Sequence, residues 1–270
     1  MKKRLFSILL TVCLVLSLAA LPAFAAGEYD GKTVILHTND VHGSITGYAK
    51  LAAVKADYEA KGAKVLLVDA GDFSQGSAYV SVSKGADAIE MMNAVGYDFV
   101  TLGNHEFDYG MARALEVMTK GKVPYVSCNF YHEKDGVAGD LVLDAYKVFE
   151  VGGMKIAFVG ITTPESFTKS TPAYFQNEKG EYIYGIAGGT DGKALYEAVQ
   201  KAVDAAAKEA DYVIALGHLG DDPASDPWNS EDVIANVSGL SAFIDGHSHS
   251  TVEMKEVKDK DGKTVILTQT

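Results

Sequence analysis

Five times along this chain a short apolar run closes on a side chain of the kind that binds cations or moves protons. Thr33-Val-Ile-Leu-His-Thr-Asn-Asp40 is followed by His42, and Val65-Leu-Leu-Val-Asp-Ala-Gly-Asp72 repeats the design. Phe99-Val-Thr-Leu-Gly-Asn-His105 runs on to Asp108, Asp211-Tyr-Val-Ile-Ala-Leu-Gly-His218 ends in an imidazole, and Leu240-Ser-Ala-Phe-Ile-Asp-Gly-His247 leads to His249. Runs of this length, rich in Val, Ile, Leu and Phe, predict strands buried on both faces. Helical spacing lies between them over Tyr48 to Lys61, Ala86 to Val95, Met111 to Lys120 and Asp191 to Glu209. That alternation predicts an α/β fold, with largely parallel strands covered by helices. In an open α/β sheet the carboxyl ends of the strands form one rim, and ligands bind there. The rim would gather Asp40, His42, Asp72, Asn104, His105, Asp108, His218, His247 and His249, which include five of the seven histidines.

The remaining segments are read more briefly. Tyr125-Val-Ser-Cys-Asn129 is expected as a fourth short strand, Tyr146 to Thr162 as two β segments about Gly152-Gly153, and Val252 to Leu267 as a hairpin about Lys260-Asp261-Gly262. Pro164 to Gly192 is one long irregular stretch, either a surface insertion or a loop flanking the site. His37 sits inside a strand and is expected to be a buried structural residue, while His132 is placed in a loop. Trp228, in Asp226-Pro-Trp-Asn229, reads as a loop anchor.

Composition narrows the function. With 47% hydrophobic and 22% charged residues, the 270-residue chain is neither disordered, collagen-like nor a polytopic membrane protein. A net charge of −12 argues against a nucleic-acid polymer as partner. An anionic small molecule is compatible with this surface only where something such as bound metal reverses the local field. Met1-Lys-Lys-Arg4, the apolar run from Leu5 to Ala20, and Ala23-Phe24-Ala25 have the anatomy of a secretory signal peptide, with cleavage expected after Ala25. The expectation is an exported protein, periplasmic, extracellular or wall-associated, whose mature domain is 26–270 and does not insert in a membrane. Loss of Lys2, Lys3 and Arg4 would take the net charge from −12 to −15. Cys13 would leave with the leader, and Cys128, expected as a core filler, would have no partner for a disulfide within the chain.

Taken singly, each strand-end motif is weak, because Asp-x-His and Gly-Asp are also ordinary turn chemistry. Five of them in one chain, four with Gly directly before the polar residue, point to a metal site. The run His37-Thr-Asn-Asp-Val-His-Gly43, with Gly71-Asp72, Gly103-Asn-His-Glu-Phe-Asp108, Gly217-His218 and Gly246-His-Ser-His249, resembles the calcineurin-like metallophosphoesterases. Within them the chain is similar to the N-terminal catalytic domain of the 5′-nucleotidase and UDP-sugar hydrolase family, over essentially the whole mature region. The resemblance implies a sandwich of mixed, largely parallel sheets flanked by helices. It implies two divalent metal ions: Asp40, His42 and His249 on the first, Asn104, His218 and His247 on the second, and Asp72 bridging them. Mixed imidazole and oxygen donors suit Zn, Mn, Fe or Co. It further implies a catalytic dyad of His105 and Asp108, with metal-held water or hydroxide attacking phosphorus in line. Asp108 could also cap the helix that starts near Met111; Glu106 reads as a group that supports the ligands from behind or as a surface residue, and Asn39 and Asn129 have either supporting or plain turn roles.

The expected activity is hydrolysis of nucleotide phosphate esters, with a small-molecule nucleotide as substrate and no protein partner. Two alternatives stay open: a 2′,3′-cyclic-nucleotide or UDP-sugar phosphodiesterase, and a non-catalytic phosphate- or metal-binding module. Members of the family continue into a C-terminal nucleotide-binding domain, which is expected to lie outside these 270 residues.

Overall fold

Side chains alternate across a strand, so a strand apolar at every position must be covered twice. In the computed structural model, which describes residues 27–270, this produces four layers. The leader expected at 1–25 lies outside the described residues. Strands β1 (Thr33–Thr38), β2 (Lys64–Asp69) and β3 (Phe99–Val100) form a parallel sheet in that order. A six-stranded sheet is built from β6 (Tyr146–Val151), β7 (Met154–Thr162), β9 (Tyr212–His218), β10 (Ala242–Ile244), β11 (Val252–Lys258) and β12 (Thr264–Gln269). Its order is β11-β12-β10-β9-β7-β6, parallel at the centre with antiparallel β11 and β6 at the edges. The pairing of β11 with β12 shifts register between Val252 and Lys255.

The two sheets meet face to face. Leu66 and Val68 of β2 and Phe99 of β3 pack on Ile156 and Phe158 of β7, Ile214 and Leu216 of β9 and Ile244 of β10. The alternate residues face outward. Leu67 lies under α1 (Ile45–Ala60), α2 (Ala78–Val82), α3 (Ala86–Val95) and α4 (Met111–Lys120), while Ala157, Val159, Val213 and Ala215 lie under two later helices. After a short α5 (Ser166–Lys169), those two are α6 (Lys193–Ala206) and α7 (Ser230–Asn236). The end of α3 follows from local chemistry: Gly96, at φ +80°, returns its N–H to Met92 O as a left-handed cap.

Three expectations need correction. Tyr125–Asn129 is not a strand, because its amides serve two sheets in turn: Val126 N–H donates to Val100 O, and Cys128 N–H to Gly160 O. A segment that straddles both sheets cannot extend a ladder in either. His132 lies in a strand rather than a loop, within a small antiparallel sheet of order β5-β4-β8 made by β4 (Phe130–Lys134), β5 (Val137–Leu141) and β8 (Tyr184–Ile186). Its hairpin turns at Asp135-Gly136, both at positive φ, as a tight two-residue turn requires. Pro164 to Gly192 is correspondingly not structureless, since it carries α5, a 3₁₀ turn at Pro172–Phe175 and β8.

Phe158 is fully buried between the sheets, its ring 4.6 Å from that of Phe99. Phe158→Ala is expected to lower unfolding stability by about 3–5 kcal/mol. Met254→Ala, at a position 70% exposed on β11, should stay within about 0.5 kcal/mol. Denaturant melts of the two variants check both values, and equal losses would refute this account of the core.

Candidate metal centre

The rim is formed by two sheets rather than one. Loops after β1, β2 and β3 supply Asp40, His42, Asp72, Asn104, His105 and Asp108, the last residue of β9 is His218, and the loop after β10 supplies His247 and His249. Face-to-face packing of the sheets brings these loops together. The structure gathers Asp40, His42 and His249 into one group and Asp72, His218 and His247 into another, each with donor atoms within 4.8 Å of one another. His249 Nε2 lies 3.4 Å from Asp40 Oδ1 and 3.3 Å from His42 Nε2. His218 Nε2 lies 3.1 Å from Asp72 Oδ2 and 3.9 Å from Asp40 Oδ1, so the two groups adjoin.

The backbone is strained at this place. Among the described residues seven non-glycines have positive φ, and five of them are Asp40, His42, Asp72, His247 and His249. Each such conformation costs on the order of 1–3 kcal/mol and persists only where the surroundings over-determine it. Here the turns aim alternate side chains of short loops at one point. Several ligand-type atoms arrive there with nothing to bond. Asp40 Oδ1, Asn104 Oδ1 and His218 Nε2 are buried and make no hydrogen bond. An orphaned buried acceptor normally costs about 1–3 kcal/mol, so three at one site fit a cation that takes their lone pairs. The imidazoles are set up for the same use. His218 Nδ1 donates to Ala70 O at 2.7 Å and His42 Nδ1 to Gln75 O at 3.1 Å, which leaves Nε2 of each facing the cluster.

One side chain ties the loops after β2 and β3 together. Glu106, buried, accepts from the backbone N–H of Asp72 at 2.9 Å, Phe73 at 3.1 Å, Ser74 at 3.2 Å and Gly103 at 2.7 Å. His105 N–H in turn donates to Asp72 Oδ1 at 2.8 Å. The loops approach so closely that a Cβ on Gly71 would strike the backbone of Gly103, and one on Gly103 would strike Asp72. Asn104 is thereby fixed beside Asp72 from both sides.

Charge is distributed accordingly. Burial alone would lower the His218 pKa, but the adjacent Asp72 carboxylate reverses this and raises it, favouring positive charge at Nε2, whether a proton or a bound cation. Asp72 moves the other way: burial opposes ionisation, yet His218 holds the carboxyl well below the usual range. Burial and the Asp72 charge push Glu106 up against the pull of its amide donors. His105 Nδ1 lies 2.5 Å from Asp108 Oδ2, and this hydrogen bond raises the His105 pKa against the effect of burial. Asp108 does not cap α4, whose N-cap is Gly110 with no side-chain bond.

The other expectations sort cleanly. Asn39 donates to Asp40 Oδ2 at 2.8 Å and so supports a rim carboxylate. Asn129 instead bonds Thr162 and Ala187, joining β7 to the small sheet. His37 stays within β1, where burial lowers its pKa. Cys128 packs in the core beneath α6, its thiol pushed up to about 12 by burial. Trp228 anchors a loop through Nε1–H to Gly189 O at 2.8 Å. Glu106 takes the supporting one of its two expected roles, and one carboxylate, Glu165, escaped sequence reasoning. The four-amide cradle of Glu106 has no linear signature beyond its place in the Gly103-Asn-His-Glu run, and Glu165, 2.6 Å from His247 Nε2, lies in the stretch read as irregular. Glu106→Ala, which would leave four amides without their acceptor, is expected to lower stability by at least about 3 kcal/mol, measured by denaturant unfolding, whereas a loss under about 1 kcal/mol would mean that the cradle is dispensable.

Comparison with known proteins agrees with this geometry. The sequence pattern of the calcineurin-like phosphoesterases matches residues 33–251. The chain is 31% identical over 245 residues to the snake venom 5′-nucleotidase of Gloydius brevicauda, covering 84% of this chain and 38% of that protein. It is 32% identical over 232 residues to a 5′-nucleotidase of Vibrio cholerae, covering 78% of this chain and 38% of the other. Among solved structures, the 5′-nucleotidase precursor of Thermus thermophilus superposes with a TM-score of 0.70 at 25% identity, over 87% of this chain and 48% of that one. The chain spans about two fifths of the length of the curated relatives it matches. With the family pattern matched across residues 33–251, the chain belongs to the calcineurin-like phosphoesterase family.

Proposed function

We propose that this chain is the catalytic domain of an exported, dinuclear-metal phosphoesterase that hydrolyses nucleotide phosphate esters as a 5′-nucleotidase does. The observation that carries the reading is the convergence of three buried, unbonded ligand-type atoms, Asp40 Oδ1, Asn104 Oδ1 and His218 Nε2, on loops strained at five of the proposed site residues. In this reading Asp40, His42 and His249 hold one cation, Asn104, His218 and His247 hold the second, and Asp72 serves both. The donor set of imidazole, carboxylate and amide oxygen favours Zn, Mn, Fe or Co. Cations held by these residues would supply charge that stabilises phosphoryl oxygens and would lower the pKa of a coordinated water.

The chain's own residues supply the rest. His105, with Nδ1 bonded to Asp108, has Nε2 free for a phosphoryl or leaving-group oxygen, and its ring lies 5.3 Å from that of His42. Asp108 fixes the tautomer and stabilises the protonated ring, so that His105 can neutralise charge developing on oxygen. The nucleotide assignment draws on relatives described as 5′-nucleotidases. Recognition of the base is assigned to the C-terminal domain expected outside these residues, and export to the leader at 1–25. No helix among the described residues is long and apolar enough to cross a membrane.

Removing divalent metal by chelation should abolish phosphate release from AMP and from a nitrophenyl ester, and readdition of Mn²⁺ or Zn²⁺ should restore it. Turnover that survives exhaustive chelation would exclude the two-metal reading. His105→Ala is expected to lower kcat by roughly 10²–10⁴-fold with metal content unchanged. A fall no larger than that of a surface substitution would remove His105 from the chemistry.

A further inference from the structure

His247 differs from the other two well-buried or loop-fixed imidazoles of the rim. His218 and His42 each give Nδ1–H to a backbone carbonyl, whereas Nε2 of His247 faces a carboxylate, Glu165 Oε2, at 2.6 Å. That carboxylate is itself held. Glu165 Oε2 accepts from Ser225 Oγ at 3.1 Å, and the Glu165 carbonyl receives the N–H groups of Thr168 at 2.9 Å and Lys169 at 2.7 Å, which start α5. Both side chains of the pair are largely buried, at 9% exposure for His247 and 14% for Glu165. The bond links a loop after β7 to the loop after β10, over 82 residues of sequence.

A carboxylate cannot donate, so the proton between the two groups sits on Nε2 and the lone pair of a neutral ring is confined to Nδ1. We propose that Glu165 is a positioning residue for the second cation: by accepting the Nε2–H of His247 it fixes the ring's orientation and tautomer and reserves Nδ1 for the metal. The inference rests on the two-metal reading above and adds to it that one of the two sites depends on a carboxylate outside the ligand set. Partners of this kind raise the basicity of a ligating imidazole, and their loss costs about 10–100-fold in metal affinity. Among the described residues Glu165 makes no side-chain hydrogen bond to Asp40, His42 or His249, so its direct effect falls on the site that His247 serves.

The test is Co²⁺ titration of the metal-free 270-residue chain, followed by visible absorption and by metal content after dialysis. Wild type should take up two equivalents. Glu165→Ala should bind one equivalent as wild type does and the other about 10–100-fold more weakly. Glu165→Gln, which keeps an acceptor oxygen without the charge, should fall between them with the wild-type Tm. Two equivalents bound by Glu165→Ala with unchanged affinity would overturn the inference while leaving the two-metal reading intact. Equal weakening of both sites in Glu165→Gln would overturn it too, since that is the signature of a general structural role. A wild-type chain that binds fewer than two equivalents would overturn the two-metal reading and this inference together.

Discussion

The site depends on a single buried carboxylate with four backbone donors. Glu106 binds amides from Asp72 to Ser74 on one loop and from Gly103 on another, and these loops carry Asp72, Asn104, His105 and Asp108. A backbone amide is a fixed donor, with no rotamer of its own to lose. Four of them on one carboxylate therefore set the relative position of two chain segments more rigidly than side-chain pairs would. The glycines at 71 and 103 permit the close approach that the cradle demands.

Rigidity of this kind lets the rim sustain conformations that L-residues avoid. Left-handed backbone at Asp40, His42, Asp72, His247 and His249 would relax in a loose loop. Here the strained turns follow β2 and β10, whose residues line the sandwich interior around Phe99 and Phe158, and β1, a half-buried strand that packs on it through Ile35, so relaxation would have to disturb that interior. The hydrophobic effect in the core is thus coupled, through strand ends, to the placement of polar atoms that have no protein partner.

Much of this was legible in the sequence because it lay in local pattern. Strands ending at His218 and near Asp40 and Asp72, and helices over Ala86–Val95 and Met111–Lys120, follow from apolar runs, spacing and flanking glycines. Strand direction made the convergence of the rim residues expected, but the packing of two separate sheets is what brings it about. What stayed hidden is long-range. Nothing in Tyr125–Asn129 shows that its successive amides answer to different sheets. Glu106 and Glu165 are ordinary acidic residues until the fold brings amides or an imidazole to them. The Asp135-Gly136 pair of the β4–β5 turn is ordinary hairpin chemistry, but the strands beside it are exposed and charged and offer no apolar run.

The six-stranded sheet has another property that concerns association rather than chemistry. An open sheet offers unsatisfied backbone groups along each border, a template on which a foreign strand can add. One of the two outermost strands here, Val252–Lys258, breaks register against its neighbour between Val252 and Lys255 and turns Glu253, Lys255, Glu256 and Lys258 toward solvent. A border so interrupted and so charged repels stacking by a second molecule, so the longest sheet of this fold is guarded against fibril-like growth along that border.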